Sequence, residues 1–229
     1  TIGGGAVVDK AVPSMAQGMK QFGINVNMGS DGTLAMPFFN KAEDQVSKAA
    51  GKGSGTASKL SREELQSAVE NYTLKIEKGV EKGEPVRFVT YADGTKRKIL
   101  NGKYAGGANT KSGVPVPYDD NGFPIFDDWS IKGADYQIPP SKYLENDETQ
   151  FKEATIALRD KMQQNPSLES QFTDQQLKDI QAGKSKIDGL TWHHHQKPGK
   201  MQLVNTNIHG PTKHTGGRAI WGGGEKYRR

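Results

Sequence analysis

Apolar positions along the 229-residue chain change their period several times, and each change marks an expected element. Leu65, Val69, Tyr72, Ile76 and Val80 recur at helical spacing behind Ser61 and Glu64, which form a capping-box pattern. A helix is therefore expected from Ser61 until Gly83 and Pro85 stop it. The next stretch, PVRFVTYADGTKRKIL, alternates around Asp93-Gly94, the signal of a two-stranded hairpin. Residues 101–143 are rich in proline and aromatics and support few regular elements. Phe123, Phe126, Trp129 and Tyr136 are expected to anchor this extended segment onto the domain.

Helical spacing returns at residues 147–163, with Phe151, Ala154, Leu158 and Met162 on one face. A second capping box, Thr173 with Gln176, opens another helix that Gly183 ends. Leu190 and Trp192 then alternate with Thr191 and His193 as in a short strand, KPGK turns the chain, and Met201, Gln202, Leu203 and Val204 make the second strand. A short helix is expected over residues 205–214, capped by Thr206 or Asn207 and broken at Gly216-Gly217. Two strands and a helix in this order can fold back into one small finger.

The first 58 residues differ in kind. They carry GGG at positions 3–5, few aromatics and a Gly/Ser/Lys/Ala-rich run at 47–58 that cannot easily bury a continuous face. Local packing through Met15, Met19, Phe22 and Val26 is conceivable, but the stretch reads as a linker or the remnant of an upstream delivery region. The expected organisation is thus a connector over 1–58 and a domain over 59–229. The fold class is α+β, a small helical and hairpin domain ending in the finger.

Composition narrows the chemistry. Cysteine is absent, so disulfides and thiolate metal sites are excluded and any metal must be held by nitrogen and oxygen. Twenty-eight glycines and a mean hydropathy of −0.74 point to much irregular structure. There is no run of 18 apolar residues, so no membrane span is expected, and no leader is evident; Thr1 suggests a processed chain or a fragment. Charge is unevenly placed: residues 196–229 hold seven Lys and Arg against Glu225, a net +6, while the whole chain carries +5. A local positive field of this kind suits a polyphosphate ligand, although a basic tail is often only a solvated end.

All five histidines lie in or beside the finger: His193, His194, His195, His209 and His214. Imidazole is both the commonest metal ligand and the side chain best poised for proton transfer near neutral pH, so the crowding suggests a metal site with a general base. One histidine from the first strand and two from the helix side can meet on a single divalent ion. The five-residue separation of His209 and His214 does not match one helical face, so the helix is expected to be irregular there, with Pro211 interrupting it. The carboxylates Asp119, Asp120, Asp127 and Asp128 are also candidate ligands, but Asp beside Asn-Gly is more often turn chemistry.

The stretch TWHHHQ…GKMQLVNTNIH…HTGGRAIWG closely resembles the WHH family, a branch of the HNH/endonuclease VII nuclease superfamily built on a ββα-metal finger and found at the C-termini of bacterial polymorphic toxins. VPYDDNGFPIFDDW is similar to the aromatic segment that often precedes the motif. The resemblance implies that His193 holds the metal with His209 and His214, that His194 activates water, and that His195 touches phosphate. Lys197, Lys200 and Arg218 would hold flanking phosphates. The asparagine that names HNH enzymes has no counterpart in the second strand, MQLV.

The function implied by the resemblance is that of a metal-dependent, non-specific DNase acting as an antibacterial toxin, with one divalent ion (Mg, Zn, Ni or Mn) as cofactor. RNA, including tRNA, is the alternative substrate, and a non-enzymatic zinc-stapled module that binds nucleic acid or a partner is the reading from another class. The resemblance further implies an acidic cognate immunity protein. It also implies secretion or delivery from the producing bacterium, with action in the target-cell cytoplasm.

Overall fold

A computed structural model of the chain divides into two compact units, Thr1–Thr56 and Ala57–Arg229. It describes residues 60–229 and, ahead of them, the antiparallel pairing of β1 (Asn27–Met28) with β2 (Leu34–Ala35). The expected connector and the packing of Met15, Met19, Phe22 and Val26 otherwise lie outside the described residues. Residues 60–229 combine helices with small antiparallel sheets, an α+β fold. No described helix is long and apolar enough to cross a membrane.

Helix α1 (Arg62–Glu70) begins on the expected capping box. The Ser61 hydroxyl accepts the Glu64 amide and the Glu64 carboxylate accepts the Ser61 amide. It buries Leu65 and Val69 and then stops at Asn71, well short of Gly83. The residues expected to continue it form β3 (Lys75–Glu81), which pairs with β4 (Glu84–Thr90). The difference has a simple cause: Ile76 and Val80, four apart, share a face in a strand as well as in a helix. Lys82 and Gly83, at φ 52° and 81°, supply the left-handed pair that a two-residue hairpin turn demands. β4 then pairs with β5 (Lys96–Lys98) across the expected Asp93-Gly94 turn, so the hairpin supplies two strands of a three-stranded sheet.

The segment over 101–143 is irregular, in keeping with its composition, with one small pairing of β6 (Ala108–Asn109) and β7 (Val116–Pro117). Phe123 and Phe126 are fully buried, whereas Trp129 and Tyr136 are only half-buried. Tyr136 lies in β8 (Tyr136–Gln137), which adds an edge to the C-terminal sheet. Asp119 takes the turn role, since its Oδ1 accepts the amides of Asn121 and Phe123.

Helix α2 (Asp147–Gln164) starts where Asn146 caps the Thr149 amide, and α3 (Asp174–Gln181) starts on the Thr173–Gln176 box. The finger comes next as β9 (Leu190–His194), β10 (Lys200–Asn205) and α4 (Thr206–Thr212), with a further short helix α5 (Gly217–Ile220). Asn205 rather than Thr206 or Asn207 is the cap of α4. The helix ends at Lys213, before Gly216-Gly217, because Lys213 takes a left-handed φ of 39°.

The sheet β8-β10-β9 separates two apolar clusters. On one face Trp192, Met201 and Leu203 join Ala154, Leu158 and Met162 of α2 in the main core; on the other Val204 packs with Val116 and Phe126. Trp192 Nε1 donates to Thr155 Oγ1 at 3.0 Å inside the main core. Thr155→Val keeps the volume and orphans that indole N–H. It should lower unfolding free energy by about 1–3 kcal/mol in urea denaturation, and an unchanged midpoint would refute the role given to this bond.

Candidate metal centre

Side chains alternate along β9, and this decides how its histidines are used. His193 faces the smaller cluster, while Trp192 and His194 face α2. Across the ladder His193 lies opposite Gln202 and His194 opposite Met201. His209 approaches from the last turn of α4, and His214 from the loop beyond Lys213. His214 is outside the helix, which removes the difficulty of the five-residue spacing; Pro211 is accommodated within α4.

The rings of His193, His209 and His214 converge. His193 Nδ1 lies 3.2 Å from His209 Nε2 and 3.2 Å from His214 Nε2, and the three nitrogens fall within 4.8 Å of one another. Among the described residues this is the group that can hold a metal ion. Two imidazoles on a tetrahedral ion with metal–nitrogen bonds of about 2.0–2.1 Å have nitrogens about 3.3 Å apart, so the spacing fits a shared cation. A hydrogen bond explains it less well, because Nδ1 of His193 meets both neighbours at once. Three protein ligands leave a coordination position open, the arrangement of catalytic rather than structural zinc sites. Phe126 walls the trio, its ring centroid 5.0 Å from that of His193 and 5.4 Å from those of His209 and His214.

Burial keeps these rings uncharged, as metal ligands must be. Desolvation, reinforced by the neighbouring imidazoles, lowers His193 far below its ordinary value. Desolvation also brings His209 down to about 4 and His214 to about 3, with Arg228 adding to both, Lys213 to the first and His209 to the second.

The structure does not bring His194 to this cluster. Its ring is buried on the opposite side of the sheet, Nε2 2.7 Å from Gln150 Oε1, between Phe151 and Trp221. His195, just past the strand, returns to the side of the trio with its ring centroid 6.1 Å from that of His193. Its backbone is fixed at both ends, the N–H donating to Lys200 O and the carbonyl accepting Trp221 Nε1–H. The ring is half-buried, and its Nδ1 accepts the Lys197 amide at 3.0 Å. Desolvation, with Lys200 and Lys197, lowers it to about 4.

The expected phosphate contacts divide as well. Lys197 is exposed, whereas Lys200 pairs with Asp135 at 3.1 Å. Arg218 is 1% exposed and cannot hold substrate. Its guanidinium donates to the carbonyls of Tyr143 and Glu145, and Nε faces Asp147 Oδ1 at 3.0 Å as an ion pair off the hydrogen-bond direction. Desolvation raises Asp147 and lowers Arg218 to about 10 despite their attraction, because the arginine is enclosed and the carboxylate only partly open to water.

Other residues at the site go beyond the sequence-based expectations. Gln202 stands beside His193 and donates to Asp127 Oδ1 at 3.1 Å. Phe126, expected only as an anchor, walls the histidines. Gln150 carries one visible signal in the sequence: it lies four residues before Ala154 on the buried stripe, where a polar group needs a partner.

Residues 116–216 match the family model of the DNase/tRNase domain of colicin-like bacteriocin. The match supports a bacteriocin nuclease toxin domain. It takes in Phe126, β8 to β10, α4 and all five histidines, and leaves out α1 and β3 to β5. No curated protein matches the chain.

The histidine shifts have a consequence for stability. In the unfolded chain these imidazoles protonate near pH 6.5, but in the folded protein His195 and His209 do so only near pH 4 and His214 near pH 3. The unfolded state therefore binds more protons between those limits, and stability rises with pH up to about 6.5. For EDTA-treated protein the urea midpoint should fall from pH 7.5 to pH 5.5, above the ordinary carboxylate range. His209→Gln and His214→Gln should each flatten the fall. A midpoint that does not move with pH would contradict the burial of these rings.

Proposed function

We propose that the chain is a metal-dependent endonuclease of the HNH type, hydrolysing phosphodiesters of DNA without sequence preference as an antibacterial toxin. The observation that carries this reading is the convergence of His193 Nδ1, His209 Nε2 and His214 Nε2 inside a stretch that matches a nuclease toxin family. These three residues would hold one divalent ion; the all-imidazole donor set suits zinc or nickel better than magnesium. When bound, the ion supplies a Lewis acid that neutralises charge developing on the phosphate and the departing oxygen.

The base is reassigned from His194 to His195. His194 is buried against Gln150 and faces away from the trio, whereas His195 lies on the same side as His193 and is partly open to solvent. With Nδ1 accepting the Lys197 amide, the neutral His195 ring carries its proton at Nε2. Exchange of that amide for the attacking water leaves Nδ1 to take the water's proton. Lys197, exposed beside it, holds a flanking phosphate, a contact that weakens with salt and reads no base. The matched family's description also names tRNases, so RNA is the second reading. Self-protection of the producer calls for an immunity protein, and the toxin's role calls for export and action inside a target cell.

Plasmid nicking with Mg2+, Mn2+, Ni2+ or Zn2+, each against EDTA, tests the function, with total RNA as the parallel substrate. His195→Ala should lower cleavage by about 10²–10⁴-fold with unfolding unchanged. His194→Ala should instead lose about 1–3 kcal/mol of stability and retain cleavage where it is folded. Full cleavage by His195→Ala together with none by folded His194→Ala would return the base to His194. Cleavage indifferent to EDTA would remove the metal from the reaction.

A further inference from the structure

The position of His214 depends on a turn that local sequence does not favour. Lys213 comes directly after the last residue of α4 and takes φ 39° and ψ 115°, a conformation that a residue with a Cβ rarely adopts. No glycine stands at this helix end to make the turn easy, and the last carbonyls of any helix lack partners within it. Here those carbonyls are taken by side chains about a hundred residues earlier. Asn109 Nδ2 donates to Thr212 O at 3.2 Å, and Asn101 Nδ2 donates to Lys213 O at 2.6 Å and to Thr212 O at 3.3 Å. The Tyr118 hydroxyl donates to the same Thr212 oxygen at 3.3 Å. On the far side of His214, Thr215 Oγ1 accepts the Leu100 amide at 2.9 Å.

The stretch from His209 to His214 is thus fastened on both sides of the turn by the segment from Leu100 to Tyr118. Asn109 is 1% exposed, so its amide has been taken from water to serve this contact and its neighbours. Neither asparagine is among the nitrogens that converge on the site.

We propose that Asn101 and Asn109 are positioning residues for the metal centre, holding the Thr212–Lys213 turn so that His214 Nε2 meets His193 Nδ1 and His209 Nε2 before any cation arrives. This rests on reading the histidine trio as a metal site. A turn held in advance removes from binding the ordering of a strained loop, so loss of either amide should appear as weaker affinity for the ion. Residues in the irregular segment, remote in sequence from every histidine, thereby set the geometry of the third ligand.

The test uses the full chain stripped with EDTA and titrated with Co2+, monitored by visible absorption, with far-UV circular dichroism to report folding. Asn109→Asp keeps the shape and removes the donor; Asn101→Ala removes the other. Both should retain the wild-type circular dichroism, bind Co2+ about tenfold or more weakly, and show an altered ligand-field spectrum. His214→Ala gives the signal of a ligand lost outright. Wild-type affinity and spectrum in both folded variants would overturn the proposal. If Asn109→Asp does not fold, Asn101→Ala decides by the same criterion. Should wild type bind Co2+ no better than His214→Ala, the metal reading itself fails and the positioning role falls with it.

Discussion

Two-residue alternation across a single strand governs the chemistry of this domain. In β9 it sends Trp192 and His194 towards the main core and His193 to the other face, where Gln202 lies opposite it and Phe126 packs against its ring. A strand buried on both faces usually carries apolar residues throughout. Here polar groups occupy both faces: Gln150 partners His194 and Thr155 partners Trp192 on one, while on the other His193 Nδ1 meets the rings of His209 and His214.

Crowding three imidazoles, one buried and two half-buried, is unfavourable if any is charged, and desolvation favours their neutral forms. Neutral rings have lone pairs to offer a cation. His193 Nε2 and His214 Nδ1 are buried without hydrogen-bond partners among the described residues, so no second contact fixes which nitrogen of either ring carries the proton. Phe126, edge-on to His193 and His214, keeps water from one side and fixes the ring planes.

The positive charge of the C-terminal region is divided between structure and surface. Arg218 is enclosed with Asp147 and the carbonyls of Tyr143 and Glu145, and so ties α5 to the start of α2. Arg228 reaches the same carboxylate from outside. Lys197 stays on the surface beside His195. A net charge summed over this region thus overstates what a polyphosphate would meet, because part of it is engaged within the protein.

Local pattern alone determined a good deal. The capping boxes at Ser61 and Thr173, the apolar stripe of α2, the Asp93-Gly94 turn and the strand, turn, strand, helix order of the finger all arise from interactions within a few residues, which a sequence displays directly. The crowding of all five histidines into so short a stretch is likewise visible in the sequence, but crowding does not say which of them meet: His194 lies in the same run and faces the other side of the sheet. Partnership across the chain had to await the tertiary structure. Ile76 and Val80 suit a helix or a strand equally until β4 pairs with them, and Arg218 looks like a phosphate ligand until Asp147 encloses it. Which of His194 and His195 lies on the side of the histidine trio depends on which face of β9 meets α2, and the turn that leads to His214 takes its side-chain donors from Asn101 and Asn109. Spacing along a chain encodes period and proximity, but which face is buried and which polar atom is satisfied are set by elements that arrive from elsewhere.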